Sequence, residues 1–265
     1  MESVTPSPMR TLARLRRTPE YRKLNGPFRR YGYIDRNNFP GLVHSRRMSL
    51  DRGETFAQWV ACYLSSWGER IAGHRPLEYV LALTDLEMGR LEFEALARRI
   101  AKRLQIPLQL AMDALYIRAF VQTEEGVLAE YRCREAAESH FAATDPYFSH
   151  IRWSTEEEEL QGSVDAVVVR HDPSTGRRVD SIGLQFKPES FFSLTHAGDV
   201  GLHTDQEKNL RQNLAWLETS TLTDIFYVST ERTLAGEFAL IPLDVVAYRC
   251  FEEGVAPDIE YRLAA

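Results

Sequence analysis

The chain has 265 residues, 44% of them hydrophobic and 26% charged, with a formal net charge of -6. That is enough for one well-buried α/β core with an added lobe, and the negative total argues against a protein that coats nucleic acid. No stretch approaches the roughly 18 apolar residues of a membrane helix, and the opening MESVTPSPMR lacks a signal-type apolar core. The three cysteines, Cys62, Cys133 and Cys250, lie too far apart for a metal cluster or disulfide framework, so a cytoplasmic protein with no membrane partner is expected.

Eleven of the 32 Lys and Arg residues fall within residues 1–50, so the N-terminus is basic and the body acidic. A basic arm can follow a phosphate backbone while the body holds metal-binding carboxylates. The alternative is a solubilising N-terminus. Residues 1–9 read as disordered. Residues 10–50 read as irregular, because Asn25-Gly26 and Asn38-Phe39-Pro40-Gly41 form turns. Tyr21, Arg22, Lys23, Arg29, Arg30, Tyr31 and Tyr33 interleave aromatics with cations. That pattern suits a nucleic-acid surface, or staples the arm onto the body.

A helical zone follows. Glu54 to Ala72 predicts an amphipathic helix with Phe56, Trp59, Val60 and Tyr63 inward, and Pro76 starts another through Leu86. Leu91, Phe93, Leu96 and Ile100 fall at helical spacing. Pro107 begins a helix carrying Leu110, Leu115 and Ile117, and 126–143 forms a further helix. The pattern changes after Pro146. GSVDAVVVRH reads as a strand, DPSTG as a turn and VDSIGLQFKPESFF as a second strand. Asp205 to Thr219 reads as a helix with Leu210, Leu214 and Leu217 packed. TDIFYVST reads as a buried strand, and EFALIPLDVVAYR as another, broken at Pro242. The expected fold is α/β (α+β): a helix-flanked mixed sheet over 126–265, preceded by a basic helical lobe over 1–125 that serves DNA recognition or dimerisation.

The chemistry centres on the two strands. Asp165 lies beside a run of three valines, where a carboxylate needs a partner. Period two puts Gln185 and Lys187 on one face and Phe186 in the core. A hairpin around DPSTG brings Asp165 beside Gln185. Carboxylate, amide oxygen and ammonium then converge, a set that suits metal-assisted phosphodiester hydrolysis. Asp165, the Gln185 side-chain oxygen and the Phe186 carbonyl offer hard oxygen donors to Mg2+ (or Mn2+), and Lys187 balances charge or holds the attacking water.

Val164-Asp165 and Gln185-Phe186-Lys187 resemble the two halves of the motif of the PD-(D/E)xK nuclease superfamily, which includes many type II restriction endonucleases and repair nucleases. The resemblance covers about 145–245, with a helix before the motif strands and a crossover helix after them. Val164 stands where the family has Pro, and Gln185 where it usually has a carboxylate. One negative charge is thereby lost, and another acid must compensate. The resemblance implies a Glu from the preceding helix; Glu135 is favoured over Glu138, with Glu189 a further candidate. The run Glu156 to Glu159 reads as an exposed polar turn. Gln212 to Trp216 resembles the QxxxY motif of RecB-like nucleases with Trp for Tyr, which would bring Gln212 to the DNA backbone beside Lys208. His196 and His203, in the loop before that helix, are candidates for phosphate or base contacts, but lack the further ligands of a zinc site.

The resemblance implies a Mg2+-dependent type II restriction endonuclease acting on double-stranded DNA as a homodimer, with a cognate DNA methyltransferase in the same system. The alternatives are a structure-selective repair or recombination nuclease, a catalytically degenerate DNA-binding protein, and a structural or metabolic protein with no nucleic-acid role.

Overall fold

The computed structural model describes residues 14–34, 38–72, 83–192 and 204–251, and the chain divides into two compact units, Met1–Val127 and Leu128–Ala265.

The first unit is a helical lobe. Thr18 caps α1 (Pro19–Lys23): its hydroxyl accepts the Tyr21 amide at 3.3 Å, and proline occupies the first turn. α2 (Asn25–Arg30) and α3 (Leu42–Asp51) follow. The 10–50 segment is therefore largely helical where described, not irregular. Asn25-Gly26 begins α2, and burial decides what the local turn preference does not. Tyr21, Phe28, Tyr33 and Phe39 are buried in the lobe's core. These aromatics staple the segment down, and only Tyr31 among the tyrosines of this stretch is exposed.

α4 (Phe56–Ala72) and α5 (Asp85–Leu104) lie against each other at Gly68 and Gly89. α5 opens with a capping box between Thr84 and Glu87. Leu86 therefore belongs to α5, while the expected start at Pro76 lies outside the described residues. Leu91 faces solvent; Phe93, Leu96 and Ile100 are buried. α6 (Leu108–Tyr116) passes into a π turn at Ile117–Val121 and then into α7 (Gln122–Thr144). Phe120, in the π turn, meets the rings of Trp59, Tyr63, Phe93 and Tyr116 at centroid distances of 5.3 to 6.0 Å. Arg46 is buried over Trp59; it pairs with Glu124 and donates to Ser49 and the Glu54 carbonyl, so its charge is answered inside the core.

The second unit is an α/β fold with a mixed sheet in the order β1-β2-β3-β4-β5. Its strands are β1 (Phe148–Trp153), β2 (Ala166–His171), β3 (Arg178–Lys187), β4 (Leu222–Ser229) and β5 (Ile241–Pro242). β1, β2 and β3 form an antiparallel meander, β4 runs parallel to β3, and β5 is antiparallel to β4. Three elements differ from what the sequence predicts. β1 was not expected, because FSHIRW offers a single fully buried residue, Ile151, and no clean alternation. The run at Glu156 opens a helix, α8 (Glu156–Gly162), capped reciprocally by Thr155 and Glu158; four acids suit the positive end of its dipole. The segment after Pro242 is not a strand but a helix, α12 (Leu243–Phe251). Between these elements lie the short helices α9 (Glu189–Phe192) and α11 (Thr230–Leu234) and the crossover helix α10 (Thr204–Thr219).

Helices cover both faces of the sheet. Cys133, Ala137 and Phe141 of α7 pack with Ala166, Val168, Leu184, Phe186 and Val228. On the other face Leu210 of α10 and Leu243 and Val246 of α12 pack with Val164, Val167, Ile225 and Tyr227. The buried stripe of α10 is Leu210, Asn213 and Leu217, with Leu214 exposed, so a polar residue takes the place expected for leucine. Asn213 is fully buried; its amide nitrogen donates to the Gly162 carbonyl at 2.5 Å, and its oxygen accepts the Tyr227 hydroxyl. The side chain thus ties α10 to the end of α8 and to β4. Asn213→Ala strands two buried partners and is expected to cost about 3 kcal/mol, read as a lowered urea midpoint at unchanged slope. A loss below about 0.5 kcal/mol, the scale of ordinary surface changes, would refute the clamp.

Candidate active site

The site is built by the way the chain enters β2. α8 ends in Ser163, whose left-handed backbone (φ 52) turns the chain sharply, and the Ser163 hydroxyl donates to the Asn209 side-chain oxygen at 2.9 Å. Val164 then plugs the core, which leaves Asp165 at the threshold of β2, its amide donating to the Leu184 carbonyl at 2.9 Å. From β1, the Ser154 amide donates to the Asp165 carbonyl at 3.1 Å. The hairpin turn over 172–177 closes with the Asp172 amide on the Arg177 carbonyl at 2.8 Å, and Gly176 supplies the positive φ. Its register aligns Ala166 with Leu184, and so carries Asp165 to Gln185.

One oxygen of Asp165 accepts two hydrogen bonds: from the Gln185 side-chain nitrogen at 2.6 Å and from the Phe186 amide at 2.8 Å. Gln185 is 1% exposed. Its nitrogen must face the carboxylate, since its oxygen there would meet like charge. Oε1 is consequently turned away, buried and without a hydrogen-bond partner among the described residues. The Ser154 hydroxyl, one residue past the end of β1, is likewise buried with no hydrogen-bond partner among the described residues. Phe186 points into the α7-side core, whereas Lys187 lies against Phe191 of the opposite face, its Nζ 5.9 Å from the ring centroid.

The candidates for a compensating acid fare differently. Glu189 is taken: Arg232 donates to both its oxygens at 2.5 and 2.9 Å and Ser229 to one at 2.7 Å. Chiefly Arg232 holds its carboxyl below the usual range. Glu135 is exposed and Glu138 half-buried, because the inward stripe of α7 is Cys133, Ala137 and Phe141. Glu135, favoured over Glu138 in the sequence, thus lies on the outward side of α7. Glu130, three residues before Cys133, is half-buried on α7. Burial pushes the Cys133 thiol up to about 11, and the charges of Glu130, Asp165 and Glu231 push it the same way.

Among the described residues no group of three or more His, Cys, Asp or Glu side chains is placed to hold a metal ion. The donors at hand are the Asp165 carboxylate and the unpartnered Gln185 oxygen. Both are hard oxygens of the class that Mg2+ takes beside its own waters, and one ion would be held by both with the Gln185 amide turned over, so that Oε1 and not the nitrogen lies on the Asp165 side. Of the nucleic-acid candidates, Arg22 and Lys23 on α1 and Arg30 on α2 are exposed. Arg29 lies in α2 with its side chain outside the described set, and His196 and His203 lie outside the described residues. Lys208 is exposed on α10. Gln212 is engaged within the fold, its amide donating to the Leu160 carbonyl at 3.2 Å, so it ties α10 to α8. Comparison with protein-family models, with curated proteins and with solved structures gave no match for the chain.

Proposed function

We propose that the chain hydrolyses phosphodiester bonds in double-stranded DNA, with Mg2+ (or Mn2+) held by Asp165 and Gln185. The observation that carries this reading is the buried, unpartnered Oε1 of Gln185 beside the Asp165 carboxylate. A buried carbonyl oxygen without a donor costs about 1–3 kcal/mol, and a hard cation would answer it. When bound, the divalent ion would polarise the phosphate and stabilise the negative transition state. The protein's own contributions are separable. The Phe186 amide fixes the Asp165 carboxylate in orientation, and the Gln185 side chain does so while no metal is bound. Lys187, on the Gln185 face of β3, would hold the attacking water or balance charge at the phosphate. The order of helix, motif strands, crossover helix and further strands supports the same reading, being the arrangement that the PD-(D/E)xK resemblance implies.

The finer reading is a type II restriction endonuclease that works as a homodimer alongside a cognate methyltransferase. A second reading, a DNA-binding protein on a degenerate nuclease core, is favoured by the same hydrogen bond, since Gln185 satisfies Asp165 in part without metal. One experiment separates them. Mixed-sequence duplex DNA is incubated with the protein in Mg2+, beside a metal-free sample and Asp165→Ala, and the products are mapped on a sequencing gel. Cleavage should fall on the order of 10^3-fold in both controls. Discrete fragments mark sequence-specific cutting and a smear marks structure-selective cutting. Intact DNA with a salt-sensitive mobility shift would overturn hydrolysis in favour of the binding module.

A further inference from the structure

The C-terminal half of α5 is a cationic surface that the candidate active site does not use. From Ala95 to Gln105 the chain carries Arg98, Arg99, Lys102 and Arg103 and no acid. Arg98 is answered by Glu94 one turn earlier. Arg99, Lys102 and Arg103 share one helix face at i, i+3 and i+4, all three are exposed, and none makes an ion pair among the described residues. The fold then adds what the sequence keeps far apart. The Arg103 guanidinium stacks over the ring of Tyr31 at 3.8 Å, with exposed Arg30 next in the chain.

Cations in a last helical turn complement the helix dipole. That does not account for Arg99, a full turn earlier, or for an arginine set over an exposed tyrosine ring. Stacking on an aromatic ring holds the guanidinium in one orientation while its N–H fork stays open to solvent, the state in which it meets phosphate oxygens in pairs. Like-charged side chains crowded on one face repel one another, and a row of phosphates relieves that repulsion while releasing the counterions of both surfaces.

We infer that Arg99, Lys102 and Arg103, with Tyr31 and Arg30, form a face of the helical lobe that docks the phosphate backbone of duplex DNA. It positions the duplex without reading its sequence, since the contacts are to phosphates. The inference rests on the reading of the chain as a DNA-acting protein, and extends it to residues that the basic N-terminal segment does not supply.

The test is fluorescence anisotropy of a labelled duplex of about 20 base pairs, with full-length protein in EDTA and salt varied. Arg99→Gln/Lys102→Gln/Arg103→Gln should weaken binding on the order of 30-fold and flatten the slope of log affinity against log salt by about 3. A control triple, Arg90→Gln/Arg132→Gln/Arg177→Gln, removes the same charge from exposed positions elsewhere and should change affinity less than about threefold. All six side chains are exposed, so both variants should melt with the wild type. Equal losses in the two variants, or no loss in either, overturn the face. Because no metal is present, hydrolysis is scored separately. A wild type that cleaves in Mg2+ while the face variant binds undiminished sinks the face and leaves the nuclease reading standing. Binding lost in the face variant, with a wild type that never cleaves, does the reverse. A wild type that neither binds nor cleaves removes both.

Discussion

Gly68→Ala and Gly89→Ala are each expected to destabilise the helical lobe by about 3 kcal/mol or more, lowering its melting temperature by many degrees. In an exposed helix interior the same exchange stabilises, by up to about 1 kcal/mol, because alanine restricts the unfolded chain and favours the helix. Here the sign reverses. A Cβ on Gly68 would fall inside the Asp85 carbonyl, and one on Gly89 inside the Leu64 carbonyl. Backbone carbonyls have no rotamer by which to yield, so α4 and α5 must separate, and Tyr63, Leu64, Phe93 and Leu96 would lose packing with them. Gly126 of α7 is the internal comparison. Nothing lies within 4 Å of its added Cβ, and Gly126→Ala should stabilise by about 0.5–1 kcal/mol. Urea denaturation of the three variants checks the pattern. If Gly68→Ala and Gly126→Ala moved the midpoint the same way, the backbone-to-backbone approach of α4 and α5 would be wrong.

Gln185→Glu should cost about 3 kcal/mol at pH 8 in the absence of metal and little at pH 4. The substitution exchanges a hydrogen bond of 2.6 Å for two carboxylates in contact at a position 1% exposed. Burial and the charge of Asp165 both oppose ionisation of the new group, so its folded pKa rises above its unfolded value of about 4.3. A group raised in this way contributes stability that is fully present below the unfolded pKa and is lost as pH rises through the folded one. The variant should therefore fall further behind the wild type with each step from acid to neutral pH. Mg2+ should reverse the deficit, since two carboxylates bind a hard cation better than a carboxylate and an amide. Melting curves at pH 4 and pH 8, with Mg2+ and with EDTA, measure all of this without any substrate. A variant as stable as the wild type at pH 8 in EDTA would mean that residue 185 does not face Asp165 in a dry site.

The site was legible where pattern and burial agree. The valines after Asp165, the turn residues of DPSTG and the apolar end of VDSIGLQF leave one hairpin register that buries both strands, and that register sets Gln185 beside Asp165. What was not legible depended on partners distant in sequence. Nothing local marks Tyr21 and Tyr33 as core residues rather than a nucleic-acid surface. Glu135 and Glu130 differ only by the phase of α7, which the sheet fixes through Cys133 and Ala137. Asn213 occupies a position that periodicity assigns to an apolar residue, because its two partners come from α8 and β4. Leu243–Phe251 carries Val245, Val246, Tyr248 and Phe251, residue types that suit a strand, yet the two-residue β5 already ends the sheet and the segment covers it as a helix.

The π turn at Ile117–Val121 has a bearing on the phase of everything after it in the lobe. The Gln122 amide reaches back to the Ile117 carbonyl, five residues away, so this stretch accommodates one residue more than an α-helix would. Four of its five residues, Ile117, Ala119, Phe120 and Val121, are buried, a density that a regular helical stripe does not offer. Each residue advances a helix by about 100°. Without the extra one, Glu124 and Glu125 would come round a quarter-turn or more from Arg46 and Arg16, the arginines they now pair with. A buried arginine would then have lost its counter-charge through a change of winding alone, with no change in composition at either partner. Shortening the chain by one residue here would turn both glutamates away from their arginines at once.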